Sequence, residues 1–351
     1  MQKNTNPTRN SYLDTVKGVL IICVVVAHCV QHGSGIAFYR SNLFFENWLF
    51  KSIYSFHMPL FMLLCGYFFA HTIARKSWQE TLITKAKSLL LPILVWSVVP
   101  IGVFVSKLLK GLAAELTTGE IIENIIHTIT NNLWFLWAIL YNIVIVLLVN
   151  RLFKDNLWVY GAIFILQFFL PDALHLYCFM YPYFVLGYLY NKQFKNSTTT
   201  AKALHIKNRR YLHIATGVVF IAMLCMFSQE NYIYTSKYNI LNGNPLRQLY
   251  IDIFRFAIGL VGSLFMLLTI KYLFERIGER RGVLVYLGKA TMGIYIISSY
   301  LNPLLLDICR KLGGCNYLYI AIESAVIIAL SLSFMLLIKR SRVASRILLG
   351  S

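Results

Sequence analysis

The sequence predicts an all-α, polytopic integral membrane protein: a helical bundle of about ten transmembrane helices with both termini cytoplasmic. Three observations lead there. Of 351 residues, 58% are hydrophobic and 13% charged, and the mean hydropathy is +0.63. Soluble domains carry about a quarter charged residues, so this chain has too few charges to cover a soluble surface of its size. Apolar runs long enough to cross a bilayer, about 20 residues each, recur along its whole length. Lys and Arg are also distributed unevenly between alternate connectors. With the N-terminus inside, 23 of the 33 Lys and Arg fall in inner segments and eight in outer ones, the bias expected of cytoplasmic loops. The formal net charge of +19 therefore points to the membrane's inner face and anionic lipid, not to nucleic acid.

The expected spans run in order. The first, 13–32, follows Lys3 and Arg9 like a signal peptide, but it carries His28 inside its apolar stretch and no small-residue cleavage site follows; it is a retained span. The second, 48–70, is interrupted by Pro59, and the third, 89–109, opens behind Lys85, Lys87 and Pro92. The fourth is 133–150. The fifth and sixth, 157–171 and 175–190, are short and meet at Pro171-Asp172 as a tight helical hairpin. Then come 211–228, 250–273 with Asp252 and Arg255, 283–306 with Lys289, and 317–338 with Glu323. Trp48, Trp96, Trp134 and Trp158 fall near span ends, as interfacial aromatics do. The connectors 191–210 and 229–249 are too short to fold alone. No internal repeat is visible, which argues against a transporter built from duplicated halves. Residues 1–351 thus read as one membrane domain, with 1–12 a cytoplasmic N-terminal segment and 339–351 a cytoplasmic tail. The seven cysteines are scattered and form no CxxC pair, so neither a metal site nor a disulfide framework is expected.

Ionisable groups inside spans are candidate functional groups because burying them there is costly. On the first span, eleven helical steps separate Lys17 from His28. They share one face, roughly 20° apart in azimuth and about 16 Å apart along the axis. Asp14 lies one turn before Lys17 and can pair with it. A second imidazole, His57, sits in the Pro-interrupted run Ser55-Phe56-His57-Met58-Pro59-Leu60-Phe61 of the second span.

These segments resemble the acyltransferase-3 family of membrane O-acyltransferases, and in particular its fucose 4-O-acetyltransferase-like branch. The family's first span carries a basic residue, ten residues, then His; here that basic residue is Lys17. Phe56-His57-Met58-Pro59-Leu60-Phe61, followed by Cys65-Gly66-Tyr67, matches a second signature, with Cys65 in place of the usual Ser. Lys85, Lys87 and Pro92 resemble the basic pair and proline that open the family's third span. Leu133-Trp134-Phe135-Leu136 matches its Trp-Phe-Leu motif. Tyr183 to Tyr188 and Gly288 to Tyr295 match two later signatures, with Ser298 where many members have His.

The resemblance implies transfer of an acyl group, usually acetyl, from coenzyme A to a hydroxyl of a cell-surface polysaccharide or glycolipid sugar. Acyl-CoA would be a co-substrate, with no permanently bound cofactor and no metal, in a multi-pass protein of the cell (inner) membrane. A neutral His suits the general base that activates a hydroxyl; His28 takes that role and His57 supports it. Lys17, Lys85 and Lys87, at one membrane face, would hold the coenzyme's phosphates. Trp134 and Phe135 are either interfacial aromatics or a wall for the sugar. Arg255 either pairs with Asp252 or contacts acceptor or coenzyme. Cys65 is either an acyl-carrying nucleophile or a small inert core residue. Lys289 and Glu323 are expected to pair between late spans. The other histidines receive no role. The competing expectation is a non-catalytic polysaccharide exporter or flippase.

Overall fold

In a computed structural model, residues 10–33, 43–111, 115–194, 209–241, 243–277, 282–311 and 316–350 are described. The segment before Asn10 and most of the 191–210 connector, including His205, lie outside them. Among the described residues every regular element is helical. They are α1 (Ser11–Gly33), α2 (Trp48–Ile73), α3 (Trp78–Lys85), α4 (Leu91–Leu109), α5 (Thr118–Asn131), α6 (Trp134–Phe153), α7 (Leu157–Gln167) and α8 (His175–Leu189). After the long connector follow α9 (Arg209–Met226), the one-turn α10 (Ile233–Ser236), α11 (Pro245–Ile277), α12 (Gly282–Lys311), α13 (Tyr317–Ile338) and α14 (Arg342–Leu349).

Eight segments are long and apolar enough to cross a membrane, among them Trp78–Leu109, which joins α3 and α4. The other two expected spans are the short ones. The 11 residues of α7 rise only about 17 Å, and the 15 of α8 about 23 Å, against a hydrocarbon core of about 30 Å. Val98, Leu148, Ile165 and Leu336 are each more than half exposed. Large apolar side chains displayed outward on so many helices suit lipid, not water. The protein is a multi-pass helical membrane protein.

The chain forms two compact units, 1–61 with 206–229 and 255–335, and 62–205 with 230–254 and 336–351. The first is organised by α1 and α12, its most extensive helix pair. A Cβ on Gly18 would lie 2.0 Å from the Leu284 carbonyl oxygen, and one on Gly288 1.8 Å from that of Asp14. Leu284 is one turn before Gly288 and Asp14 one turn before Gly18. The two helices therefore pack backbone on backbone through these two glycines. Small residues allow this approach, and lipid-embedded helices gain their packing energy from it. In the second unit the end of α2 repeats the device on α8: Gly66 meets the Phe184 carbonyl and Gly187 that of Leu63, each at 1.9 Å from the added Cβ.

Three features depart from expectation. The helix entering the third span starts at Trp78, capped by Ser77 and Glu80, so Trp96 lies well inside it, not near its end. Its indole N–H donates to the Leu348 carbonyl at 2.9 Å. The tail after 338 holds the helix α14. Between the third and fourth spans, α5 is a two-sided helix with no buried residue.

Gly288→Val should place a side chain inside the Asp14 backbone and destabilise the first unit by about 3 kcal/mol or more. Gly102 has nothing within 4 Å of its Cβ position, so Gly102→Val is the control. Fluorescence-detected size exclusion after detergent extraction should show a monodisperse peak for the control and its loss for Gly288→Val.

Candidate functional site

Helix α1 is continuous from Ser11 to Gly33, so the shared face of Lys17 and His28 exists as the spacing required. At its start Lys17 Nζ pairs with Asp14 Oδ1 at 2.7 Å, with the carboxylate side chain 4% exposed and the lysine 21%. One proton-bearing cation thus sits against a buried carboxylate, directly beside Gly18 and its close contact with α12.

At the other end, four polar side chains come from α1 and the first half of α2. His57 is buried, and its Nδ1 lies 2.7 Å from the Ile53 carbonyl. A carbonyl can only accept, so Nδ1 carries the proton and Nε2 of the neutral ring presents its lone pair. Tyr54 sets its ring edge-on to His57 at 5.0 Å and donates its hydroxyl to Gln31 Oε1 at 3.3 Å. Gln31 is one turn beyond His28, and His28 and His57 are close enough for charge on one to be felt at the other. His28 is half-buried, whereas His57 is 3% exposed. Of the two imidazoles, His28 is the less buried. Gln31 and Tyr54 were invisible to the sequence reading because neither titrates near pH 7.

The remaining expected residues fall in other places. Lys85 ends α3 half-buried, near enough to Cys65 for an electrostatic interaction, and Lys87 is exposed on the π-turn Ala86–Leu90. Trp134 opens α6 half-buried, edge-on to Phe135 at 5.8 Å and to Tyr234 at 6.3 Å; Phe135 is buried. Leu133 before them has a left-handed backbone, φ 50°, which costs an L-residue about 1–2 kcal/mol. The surrounding bonds hold it: Asn132 Nδ2 donates to Ser97 Oγ at 3.0 Å, and the Trp137 indole donates to the Ile129 carbonyl at 2.9 Å. Asp252 and Arg255 are both buried on α11, with Gln248 Nε2 donating to Asp252 Oδ2 at 3.1 Å. The expected Lys289–Glu323 pair is not formed: Lys289 is exposed on α12 and Glu323 buried on α13. A lysine at the end of a span gains more from water than from a buried carboxylate. Among the described residues no group of three His, Cys, Asp or Glu could hold a metal.

A second polar cluster ties the α6–α7 corner to the end of α8. Asp155, buried and in a left-handed conformation of φ 60°, accepts from the Tyr160 hydroxyl at 2.7 Å, Asn150 Nδ2 at 2.8 Å and the Tyr188 hydroxyl at 2.9 Å, and from Lys192. Burial alone would raise its pKa, but the hydrogen bonds from Lys192, Tyr160, Asn150 and Tyr188 outweigh it and hold the carboxyl below its usual value.

The fold and these groups define a class: a multi-pass helical membrane protein that keeps two imidazoles inside its spans and a paired cation at the start of the same helix. The profile described as an acyltransferase domain, acyltransferase-3, matches residues 10–339; the chain belongs to that family and is a membrane O-acyltransferase. Among similar curated proteins, nodulation protein NolL of Mesorhizobium japonicum is 26% identical over 306 residues, covering 82% of this chain and 75% of its own. Nodulation protein NolL of Sinorhizobium fredii is 28% identical over 246 residues, covering 68% of this chain and 63%, under two thirds, of its own. No solved structure matches the chain.

The depressed Asp155 pKa means its hydrogen bonds stabilise the fold fully above the unfolded carboxyl pKa of about 3.9 and progressively less as pH falls towards the lower folded value. Asp155→Asn should lower Tm at pH 7, and its deficit against wild type should shrink at pH 3.5, both read by scanning fluorimetry in detergent.

Proposed function

We propose that the protein transfers an acetyl group from acetyl-CoA to a hydroxyl of a cell-surface polysaccharide or glycolipid sugar at the cell (inner) membrane, with His28 as general base. The observation that carries this reading is α1 itself: within a family of acyltransferases, one rigid helix bears a cation near its start and a half-buried imidazole about 16 Å further on, on the same face. The Lys and Arg bias supports cytoplasmic termini and, with them, Lys17 at the inner surface, where a cytosolic anionic donor arrives.

The acceptor hydroxyl oxygen attacks the thioester carbonyl carbon while His28 takes its proton. The C–O bond forms, the C–S bond breaks, and the imidazolium returns the proton to the departing coenzyme thiolate. His57, fixed by its bond to the Ile53 carbonyl, keeps a bare Nε2 within the same cluster and so supports the orientation and charge of His28. Lys17, Lys85 and Lys87 hold coenzyme phosphates, acting as point charges. Trp134 with Phe135 offers an aromatic face of the kind sugars stack on, and Arg255 contacts the acceptor.

Two measurements test this. His28→Ala should cut acetyl transfer from radiolabelled acetyl-CoA by about 10²–10⁴-fold, with expression and membrane insertion intact, and His57→Ala should be milder. A His28→Ala protein transferring at near wild-type rate would end the mechanism. Purified protein that moves a glycan but no label from acetyl-CoA would return the exporter reading instead. For the donor end, Lys17→Gln should raise the KM for acetyl-CoA and Lys17→Arg should restore it in part. Unchanged donor dependence would leave Lys17 only its Asp14 pairing.

A further inference from the structure

The tail beyond the last span folds into α14, whose two faces differ. Ser345 and Leu349 are buried, and the exposed Arg342 and Arg346 lie along the same polar side of the helix, opposite Val343 and Ile347. The helix is fixed at both ends. Ser341 Oγ accepts from the Ala344 N–H at 3.3 Å, and Gly350 closes it with a left-handed φ of 64° and an N–H bond to the Arg346 carbonyl at 3.2 Å. It is also fixed to its neighbours. A Cβ on Gly350 would lie 2.0 Å from the Ser88 carbonyl oxygen, and the Trp96 indole holds the Leu348 carbonyl. Ser88 is the centre of the π-turn Ala86–Leu90, next to Lys87 and three residues from Lys85. π-turns of this kind interrupt helices most often at functional sites.

The docking therefore gathers like charges. Lys85 and Lys87 on one segment and Arg342 and Arg346 on the other adjoin through Gly350 and Ser88, and none of the four forms an ion pair among the described residues. The acid nearest in sequence, Glu80, is engaged in the capping box with Ser77. A loop that only obeys the charge bias of the inner face needs no such docking; unstructured lysines satisfy it equally. Cations carried on two adjoining segments repel one another, and an anion between them relieves that repulsion. Guanidinium groups bind phosphate oxygens in pairs, where ammonium groups act singly.

We infer that α14, through Arg342 and Arg346, completes with Lys85 and Lys87 a polyphosphate-binding cradle that takes the phosphate-bearing end of the acyl donor. The inference rests on the reading of acyl-CoA as donor. The same chemistry would also hold an anionic lipid headgroup, and the experiment separates the two sources.

The protein is reconstituted in nanodiscs of phosphatidylcholine alone, and the Kd of coenzyme A and of dephospho-coenzyme A is measured by thermophoresis for wild type, the Arg342→Gln/Arg346→Gln double variant, its Lys/Lys counterpart, Gly350→Val and the Lys85→Gln/Lys87→Gln double variant. Exposed arginines should be removable without unfolding, which the elution profile and Tm verify. The double Gln variant is expected to weaken coenzyme A about tenfold or more, with the Lys/Lys variant intermediate and the penalty smaller for dephospho-coenzyme A. Gly350→Val, which undocks the helix while keeping both arginines, should weaken coenzyme A as well. If the lysine variant weakens coenzyme A and the arginine variant does not, the inference falls and the donor reading stands. If wild type binds no coenzyme A, the donor reading itself fails. If the arginine variant changes only binding of phosphatidylglycerol vesicles, α14 reads lipid and the cradle is overturned.

Discussion

The contact between Gly18 on α1 and Gly288 on α12 sets the conditions for the rest of the first unit. In a bilayer, helices gain little from burying leucine against leucine, because lipid tails are equally apolar; association comes from close van der Waals approach and interhelical hydrogen bonds. Each glycine accepts the other helix's carbonyl where a Cβ would stand at 2.0 Å or less. That contact lies one residue beyond Lys17 and ten before His28. It therefore fixes the rotation of α1 about its axis, and with it the direction in which the whole functional face points. The paired carboxylate of Asp14 sits in the same turn, so the charge pair and the closest backbone approach stabilise one arrangement.

The second unit uses the same contact between the end of α2 and α8, through Gly66 and Gly187. Between α7 and α8 the Tyr181 hydroxyl donates to the Tyr160 carbonyl at 3.0 Å. Asp155 ties the α6–α7 corner to the end of α8. A left-handed residue with four donors converging on its carboxylate is an expensive corner, and the bonds from Tyr160, Asn150, Tyr188 and Lys192 hold it. Asn191, next to Lys192, donates to the Tyr67 carbonyl at 2.8 Å, so the C-terminal ends of α8 and α2 are joined by the same short stretch.

Much of this was legible before any coordinates. A helix of 23 residues over 11–33 follows from an unbroken apolar run, and its continuity alone makes Lys17 and His28 share a face. The Asp14–Lys17 pair follows from i,i+3 spacing. What escaped had a physical reason in each case. The glycine contact joins positions 270 residues apart, and no local pattern announces it. The helix over 342–349 is eight residues long in a basic tail, shorter than isolated helices that hold their shape in water; packing against Ser88 and Trp96 makes it, not propensity. Trp96 read as an interfacial residue because the third span was placed from its apolar run, whereas capping by Ser77 starts the helix eleven residues earlier. The Lys289–Glu323 pairing failed because sequence shows that two ionisable groups share a membrane, not which way each one faces.

The two imidazoles illustrate how burial assigns roles that residue type cannot. Both belong to spans, and both are histidines in runs of similar composition. His57, with Nδ1 committed to a carbonyl of its own helix, cannot rotate without leaving that N–H unsatisfied in an apolar interior, which costs about 1–3 kcal/mol. A ring so held keeps one tautomer and one orientation, with Nε2 presenting its lone pair. His28 is half-buried on a helix whose rotation is fixed elsewhere, so its ring is less enclosed and has a defined direction. A base needs its pKa near the working pH and its proton within reach of two partners. In the proposed mechanism the half-buried position on α1 takes that task.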